Sequence, residues 1–177
     1  GFTLQNGSGK EGVWTTSGGG IFTYGSSPSI RNTIVRNNTV FGRGAGFYSS
    51  FSIGGPSTAS LTDVEFYGNI CANDGGAIYC NNPNPFTNLN IHDNVAKRGA
   101  GIFFEATTQH VNNLLIHHND AERGGGIFSK YTKLNIVNST IITNSATLGG
   151  GMFIEGNRIL ILNSIFENNG VDDINLG

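Results

Sequence analysis

Apolar and polar residues alternate over short distances along this chain, and the same arrangement returns many times. Ile136, Ser139 and Ile141 illustrate one copy, and Ile161 with Phe166 belongs to the next. Such short intervals do not fit the period of a helix, whereas they suit short β-strands separated by turns. The pattern therefore predicts an all-β protein.

Each copy contains an apolar residue three positions before an asparagine. The pairs are Val35/Asn38, Phe66/Asn69, Ile91/Asn94, Ile116/Asn119, Ile141/Asn144 and Phe166/Asn169. The last five asparagines follow one another at intervals of 25 residues. A constant interval of this length is typical of stacked structural repeats.

A glycine cluster followed by two apolar residues completes each copy. The clusters are Gly18–Phe22, Gly44–Tyr48, Gly75–Tyr79, Gly99–Phe103, Gly124–Phe128 and Gly149–Phe153. We expect the glycines to adopt positive φ at a bend, where a β-carbon would clash. At about 3.3 Å per strand residue, one unit spans about 80 Å of chain, which suits a closed coil of several strands. We predict one β-helix domain over residues 1–177, with about 25 residues per coil and roughly seven coils.

Stacked coils place equivalent residues in columns, and the columns are chemically consistent. Besides the asparagines of the pairs, a second polar column lies six residues earlier: Asn32, Asp63, Asn88, Asn113, Asn138 and Asn163. We expect both columns to form amide ladders that satisfy buried turn backbone. A small inward position follows each ladder asparagine by two residues: Val40, Cys71, Ala96, Ala121, Ala146 and Val171.

The charge of the chain excludes some partners. The 177 residues include only 12% charged side chains, with a net charge of -2. Nucleic acids and anionic membranes demand a basic face, so neither is an expected partner. The sequence contains no apolar run long enough for a transmembrane helix, and we expect no membrane insertion by this segment.

The ends of the sequence leave two interpretations open. Terminal coils need polar caps because they expose apolar side chains and strand edges, and neither end has the pattern of a cap. The sequence is then either a block of a longer chain or a unit that stacks end to end. We expect Cys71 and Cys80 to be buried free thiols, with a disulfide as the alternative.

Departures from the period are candidate binding sites. Insertions surround Ser8–Trp14 and Ser52–Thr58, and a third polar segment is Asn81–Pro85. Loops that protrude from a repeat scaffold often carry binding, but insertions that the fold merely tolerates are the favoured interpretation. Trp14 could stack on a sugar ring or cover the open first coil.

Charged side chains on two adjacent coils are the candidates for catalysis. They are Asp93, Arg98, Asp120, Glu122 and Arg123. Carboxylates holding a calcium ion beside an arginine base would suit β-elimination on acidic sugars. However, Lys97 lies under Glu122 in the coil, and surface ion pairing accounts for the same residues. We therefore expect no catalytic site and no cofactor, with calcium as the alternative.

Histidines form a further candidate binding site. His92 and His117 occupy one column on adjacent coils, and His118 is next to them. Two imidazoles at about 4.8 Å could share a zinc ion. The column continues as Tyr67 and Ile142, which supply no third ligand. Stacked, solvent-facing side chains are therefore the simpler interpretation, and we predict no metal site.

The paired signatures carry a family resemblance. Gly124–Ile127 with Ile116–Asn119, and Gly75–Ile78 with Phe66–Asn69, resemble the repeats of chlamydial polymorphic outer-membrane proteins and of other secreted bacterial right-handed parallel β-helix proteins. The resemblance covers nearly all of the chain from Gly18 to Asn169 and implies a right-handed coil of the pectate-lyase-like kind. It also implies a secreted or cell-surface module with a structural or adhesive role.

These observations lead to two functional expectations. The first is a non-catalytic extracellular β-solenoid that binds cell-surface glycans or proteins, or associates with itself end to end. The alternative is a polysaccharide lyase or hydrolase, or its carbohydrate-binding part, because such enzymes share the fold.

Overall fold

The computed structural model describes residues 1–11, 16–51, 58–156 and 158–177. This part of the chain contains strands, turns and bends and no helix. Parallel strands stack into a β-solenoid of about six turns with roughly 25 residues per turn. The predicted parallel β-helix with about 25 residues per coil is confirmed, with about six turns where roughly seven coils were expected.

Three parallel sheets form the walls of the solenoid. The first sheet contains β1 (Phe2–Gln5), β5 (Ser29–Arg36), β8 (Ser60–Tyr67), β11 (Phe86–His92), β14 (Thr108–His117), β17 (Lys133–Val137), β18 (Thr140–Ile142), β21 (Ile159–Leu162) and β22 (Ile165–Glu167). The second contains β6 (Thr39–Val40), β9 (Ile70–Asp74), β12 (Val95–Arg98), β15 (Asp120–Arg123) and β19 (Ser145–Leu148). The third contains β4 (Ile21–Tyr24), β7 (Phe47–Ser50), β10 (Ile78–Cys80), β13 (Ile102–Glu105), β16 (Ile127–Lys130), β20 (Met152–Glu155) and β23 (Ile174–Leu176). A short antiparallel pair, β2 (Lys10–Glu11) with β3 (Thr16–Ser17), lies outside these walls.

The strand register repeats the sequence period. Ile91 lies beside Phe66 on one neighbouring strand and Ile116 on the other. These inward side chains are fully buried and belong to one continuous core along the solenoid. A single coil would leave these side chains uncovered on both sides, so stacking is what stabilises the repeat.

A buried asparagine ladder marks the bend between the first and second sheets. Its members are Asn38, Asn69, Asn94, Asn119, Asn144 and Asn169, all at most 2% exposed. Each side-chain amide from Asn38 to Asn144 donates to Oδ1 of the next asparagine at 2.9 Å. The Asn94 amide also donates to the carbonyl of Phe66, on the coil below, at 3.1 Å. These bonds explain the fixed spacing between the apolar residue and the asparagine.

Residues of the same chain close this ladder at both ends. The backbone N–H of Gly7 donates to Oδ1 of Asn38 at 2.9 Å. At the other end, the backbone N–H and Nδ2 of Asn169 both donate to Oδ1 of Asp173, at 3.1 and 2.8 Å. All the amides point their N–H groups towards Asp173, so its carboxylate meets the positive end of the column, as an anion does at a helix N-terminus.

The second polar column is exposed, which corrects the expectation that it satisfies buried backbone. Its residues Asn32, Asp63, Asn88, Asn113, Asn138 and Asn163 have φ between 48° and 58°. Asparagine and aspartate tolerate this left-handed conformation better than other non-glycine residues. Bonds along the column are partial: Asn88 donates to Asp63, Asn113 to Asn88 and Asn163 to Asn138, whereas Asn138 donates to Asn112. Backbone conformation, more than laddering, accounts for these residues.

Most of the predicted small inward column is confirmed. Val40, Cys71 and Ala96 are buried in one small cluster, and Ala121 packs against it. Val171 differs, because 74% of its surface is exposed. After Asn169 the chain turns through Gly170 and continues directly into β23, so Val171 has no inward position beside Ala146.

Both cysteines are buried and free, as predicted. Burial raises the pKa of each thiol to about 12, so both stay protonated and unreactive at neutral pH. The segment Asn81–Pro85 does not protrude as a binding loop, because Asn82 and Asn84 are each 2% exposed. The Nδ2 of Asn84 faces Sγ of Cys80 at 3.3 Å. Pro83 and Pro85 are exposed, so this segment follows the wall of the solenoid with Asn82 and Asn84 turned inward.

Candidate functional site

The outer corner between the second and third sheets forms a groove along the solenoid. It comprises two adjoining cavities of about 480 Å³ each. Their lining consists of Ser17, Gly42, Arg43, Tyr48, Asn73, Asp74, Lys97, Arg98, Glu122 and Arg123. Four of these side chains are cationic and two are carboxylates, an excess of two positive charges on a chain whose net charge is -2.

A column of stacked aromatic rings runs beneath the groove. It consists of Phe22, Tyr48, Tyr79, Phe103, Phe128 and Phe153, the second apolar residues of the glycine signatures. Successive centroids are 4.9 to 5.6 Å apart. The bend at Gly99, where φ is 59°, allows this outward column to lie in a concave corner. A β-carbon at Gly99 would meet the carbonyl oxygen of Ile102 at 2.5 Å.

Guanidinium groups cover the aromatic column. The Arg43 guanidinium lies 4.9 Å from the ring of Tyr79, and that of Arg98 lies 5.2 Å from the ring of Phe103. Arg123 lies 5.8 Å from the ring of Phe153. Such contacts hold a cation over the ring face by its quadrupole and leave the guanidinium edge available for hydrogen bonds. The surface of the groove is therefore positively charged, although aromatic rings form its floor.

Asp74 is the carboxylate between two of these arginines. Its Oδ1 and Oδ2 accept from Nε and Nη2 of Arg98 at 2.7 and 3.0 Å, and Nε of Arg43 lies 3.5 Å from Oδ2. Only 3% of its side chain is exposed. Both oxygens of a carboxylate bound in this bidentate way are engaged by guanidinium N–H groups. Asp74 therefore organises the arginines and is poorly placed to act as a general base.

A second carboxylate, Glu105, is tied into the same network. It accepts from the hydroxyl of Tyr79 at 2.5 Å and from Nζ of Lys130 at 3.1 Å. Burial favours a higher pKa for Glu105, but the hydrogen bonds from Tyr79 and Lys130 and the charge of Arg43 outweigh it and lower the pKa. Glu105 is therefore ionised at neutral pH and acts as a fixed negative charge.

The five catalytic candidates are divided between different surfaces. Arg98, Glu122 and Arg123 line the groove, and Arg98 lies beside Arg123 in register. Asp120 lies beside Val95 on the outer face of the second sheet. Asp93 is at the preceding bend, with Oδ2 at 2.7 Å from Nδ1 of His92.

The histidine column forms as the register predicts. The rings of Tyr67, His92 and His117 are stacked, with centroids 5.1 and 4.9 Å apart. Nδ1 of His117 lies 2.7 Å from Nδ1 of His118, so only one of these two atoms can carry the proton between them. Burial, followed by the charges of His92 and His118, lowers the pKa of His117, although Asp93 opposes this.

Across the described ranges, no three side chains of His, Cys, Asp or Glu are grouped so that they could hold a metal ion. Trp14 lies in residues 12–15 and falls outside the described residues, as do residues 52–57 of the other insertion. The predictions of binding at these two insertions therefore stay predictions.

Sequence reasoning missed Asp74 and Arg43 as members of the site. Their signal is an interval: Asn69 and Gly75 are six residues apart, whereas Asn94 and Gly99 are five apart. The additional residue forms a register shift in β9 and aligns Asp74 with Arg98. Bulges often re-aim a side chain next to a functional surface, so the longer interval could have indicated this position.

No protein-family model, curated protein or solved structure matches the chain. The described residues also contain no helix with the length and apolar character needed to cross a membrane. The assignment of function therefore depends on the geometry of the groove.

Proposed function

We propose that this chain is a non-catalytic extracellular or cell-surface module that binds acidic glycans along the groove between its second and third sheets. The observation that carries the proposal is the column in which Arg98 and Arg123 lie side by side above Asp74. Repeated cations at the strand spacing suit carboxylate or sulfate groups that recur along a linear polymer. Right-handed coiling and kinship with secreted bacterial β-helix proteins belong to the same proposal.

The charge network favours binding over catalysis. Lyase chemistry requires a base that is free to remove a proton, and hydrolysis requires an acid and a nucleophile or base. Asp74 is held by Arg98, and Glu105 accepts hydrogen bonds from Tyr79 and Lys130. Glu122 is the carboxylate of the groove lining outside this network, and no second free acid lies among the described lining residues to complete a catalytic pair. Polysaccharide cleavage is therefore the less favoured alternative.

A pair of charge-removing variants tests the proposal. Arg123→Gln removes an exposed groove cation, and Arg31→Gln removes an exposed arginine from the first sheet as the matched control. With polygalacturonate as the probe in isothermal titration calorimetry, we expect Arg123→Gln to weaken binding on the order of tenfold and Arg31→Gln to leave it unchanged. Equal effects of the two variants, or no binding by the wild type, would refute the groove as the site.

End-to-end association is the second candidate function. The outermost strands of the stack expose Phe2 at 81% and Leu176 at 77%, and exposed strand edges can pair with another chain. The ladder, however, gains no amide bond from an added copy, because Gly7 and Asp173 already close it. Long fibres in negative-stain electron microscopy would favour this candidate, and discrete particles at all concentrations would oppose it.

A further inference from the structure

The outer face of the first sheet changes character along the solenoid. In its lower coils, three outward columns contain polar side chains such as Glu65, Asn90, Thr87 and His92. In the upper coils, these columns and a neighbouring one become largely apolar, with Thr140 as a polar member between Leu115 and Ile165. We call this upper region the lateral patch, and its members are Leu115, Val137, Ile142, Leu160, Leu162 and Ile165.

The side chains of the lateral patch are exposed because they point away from the core. The neighbours Ile159, Ile161 and Phe166 pack against the core, so the alternating residues Leu160, Leu162 and Ile165 point outward. Their exposed fractions are 48%, 47% and 54%. A further coil stacked on this one would not cover side chains that point away from the interior. A cluster of exposed apolar side chains on one face of a sheet is typical of an interaction surface.

Charges of opposite sign flank the patch along the strand direction. Arg158 immediately precedes β21, and Glu167 ends β22 on the same coil; both are exposed. Lys133, one coil below Arg158, adds to the positive edge. The six residues of the patch carry no charge, so an identical face meets no like charge at its centre.

We propose that the lateral patch is the interface of a parallel, side-by-side pair of two copies of this chain. In a face-to-face pair related by a two-fold axis parallel to the solenoid axis, the strands of the two copies run in opposite directions. The edge of one patch where its strands begin therefore lies opposite the edge of the other patch where its strands end. Arg158 of each copy then faces Glu167 of its partner at both edges. An axis along the strands would instead bring the two arginine edges together. Charge complementarity selects the first arrangement, which is isologous and closed.

This pairing leaves the basic groove free, because the groove lies between the other two sheets. Two parallel copies then present two grooves that run in the same direction. When a polymeric ligand binds in one groove, its effective concentration at the second groove is raised. The pairing itself does not depend on the proposed glycan binding.

Sedimentation equilibrium of the intact chain tests the pair. We expect a wild-type dimer and a monomer for Leu162→Lys, which places a charge at the centre of the patch. The matched control is Ile70→Lys, because Ile70 is 48% exposed on the outer face of the second sheet. Circular dichroism and urea unfolding check that each variant is folded. A wild type that stays monomeric, or equal effects of the two lysine substitutions, would overturn the proposal.

Charge reversal tests the orientation of the two copies. Arg158→Glu or Glu167→Arg alone places like charges in contact, and each should raise the dissociation constant on the order of tenfold at low salt. The double variant R158E/E167R should restore pairing to near the wild-type value. A double variant that pairs no better than either single one excludes the parallel arrangement. Assemblies larger than a dimer that survive Leu162→Lys would indicate end-to-end association instead.

Discussion

At the scale of single residues, the most informative side chain is the buried carboxylate of Asp74. Arg98 and Arg43 hold it in place, and a register shift in β9 puts it there. The charge of a buried acid is compensated while its partners are present. Without them, the unpaired buried charge greatly lowers the free energy of unfolding. The arginine geometry of the groove therefore depends on one residue that is almost fully buried.

Removing Arg98 should destabilise the fold. Arg98→Ala leaves the Asp74 carboxylate without its bidentate partner, and we expect a loss of about 2 to 4 kcal/mol in the free energy of unfolding, the partial exposure of Arg98 reducing the effect. Arg123→Ala is the control, because this neighbour in the column is exposed and covers only an aromatic ring. Urea titrations of both variants measure the difference. Equal losses would show that the ion pair is not what matters.

His117 should make stability depend on pH. Its pKa is lowered in the folded chain, so below its ordinary value of 6.5 the unfolded chain binds more protons and stability decreases as pH falls. The loss begins near pH 6.5 and levels off once the pH is below the folded pKa. His117→Gln should flatten the profile between pH 7 and pH 5, as thermal melting would record. An unchanged profile would contradict the role assigned to this imidazole.

At the scale of structural elements, the two asparagine columns have different physical purposes. The inner ladder satisfies buried backbone and side-chain groups, and the outer column permits a left-handed bend at the surface. The two columns are indistinguishable by composition, but they should respond differently to substitution.

Asn94→Ala should be far more costly than Asn88→Gly. The first change removes the acceptor for the Asn69 backbone N–H and amide, and the donor to Asn119, inside the core. Leaving such groups unsatisfied costs about 3 kcal/mol or more. Glycine at position 88 keeps the positive φ of 58°, so the change should stay within about 1 kcal/mol. Chemical denaturation of the two variants compares these costs, and similar losses would oppose the distinction.

The elements also show how far sequence reasoning reaches. Strands, bends and the inner ladder were predictable because each repeats at one interval, and the columns confirm one another. The exposure of Asn88 was not predictable, because the sequence does not distinguish an asparagine in a buried amide ladder from one that adopts a left-handed bend. The prediction of an inward position for Val171 was wrong for another reason. After Asn169 the chain forms no strand of the second sheet, so the column of small residues ends before Val171. Asp74 was missed because it breaks the period instead of repeating it.

At the scale of the whole molecule, the solenoid separates three surfaces. The basic groove lies between the second and third sheets, the lateral patch lies on the first sheet, and the histidine column lies near the bend between the first and second. A rigid repeat scaffold keeps such surfaces at fixed distances. Binding along one side and pairing along another are therefore compatible in one molecule.

The activity that we propose for the groove is binding of an acidic glycan without cleavage. The most direct measurement is a binding titration of the chain with polygalacturonate oligomers, followed by mass spectrometry of the recovered sugar, with and without added calcium. We predict saturable binding that weakens with salt and recovery of the oligomers at their original length. Shortened or unsaturated products that disappear in Arg123→Gln would contradict this account and assign the chain to the polysaccharide-cleaving enzymes.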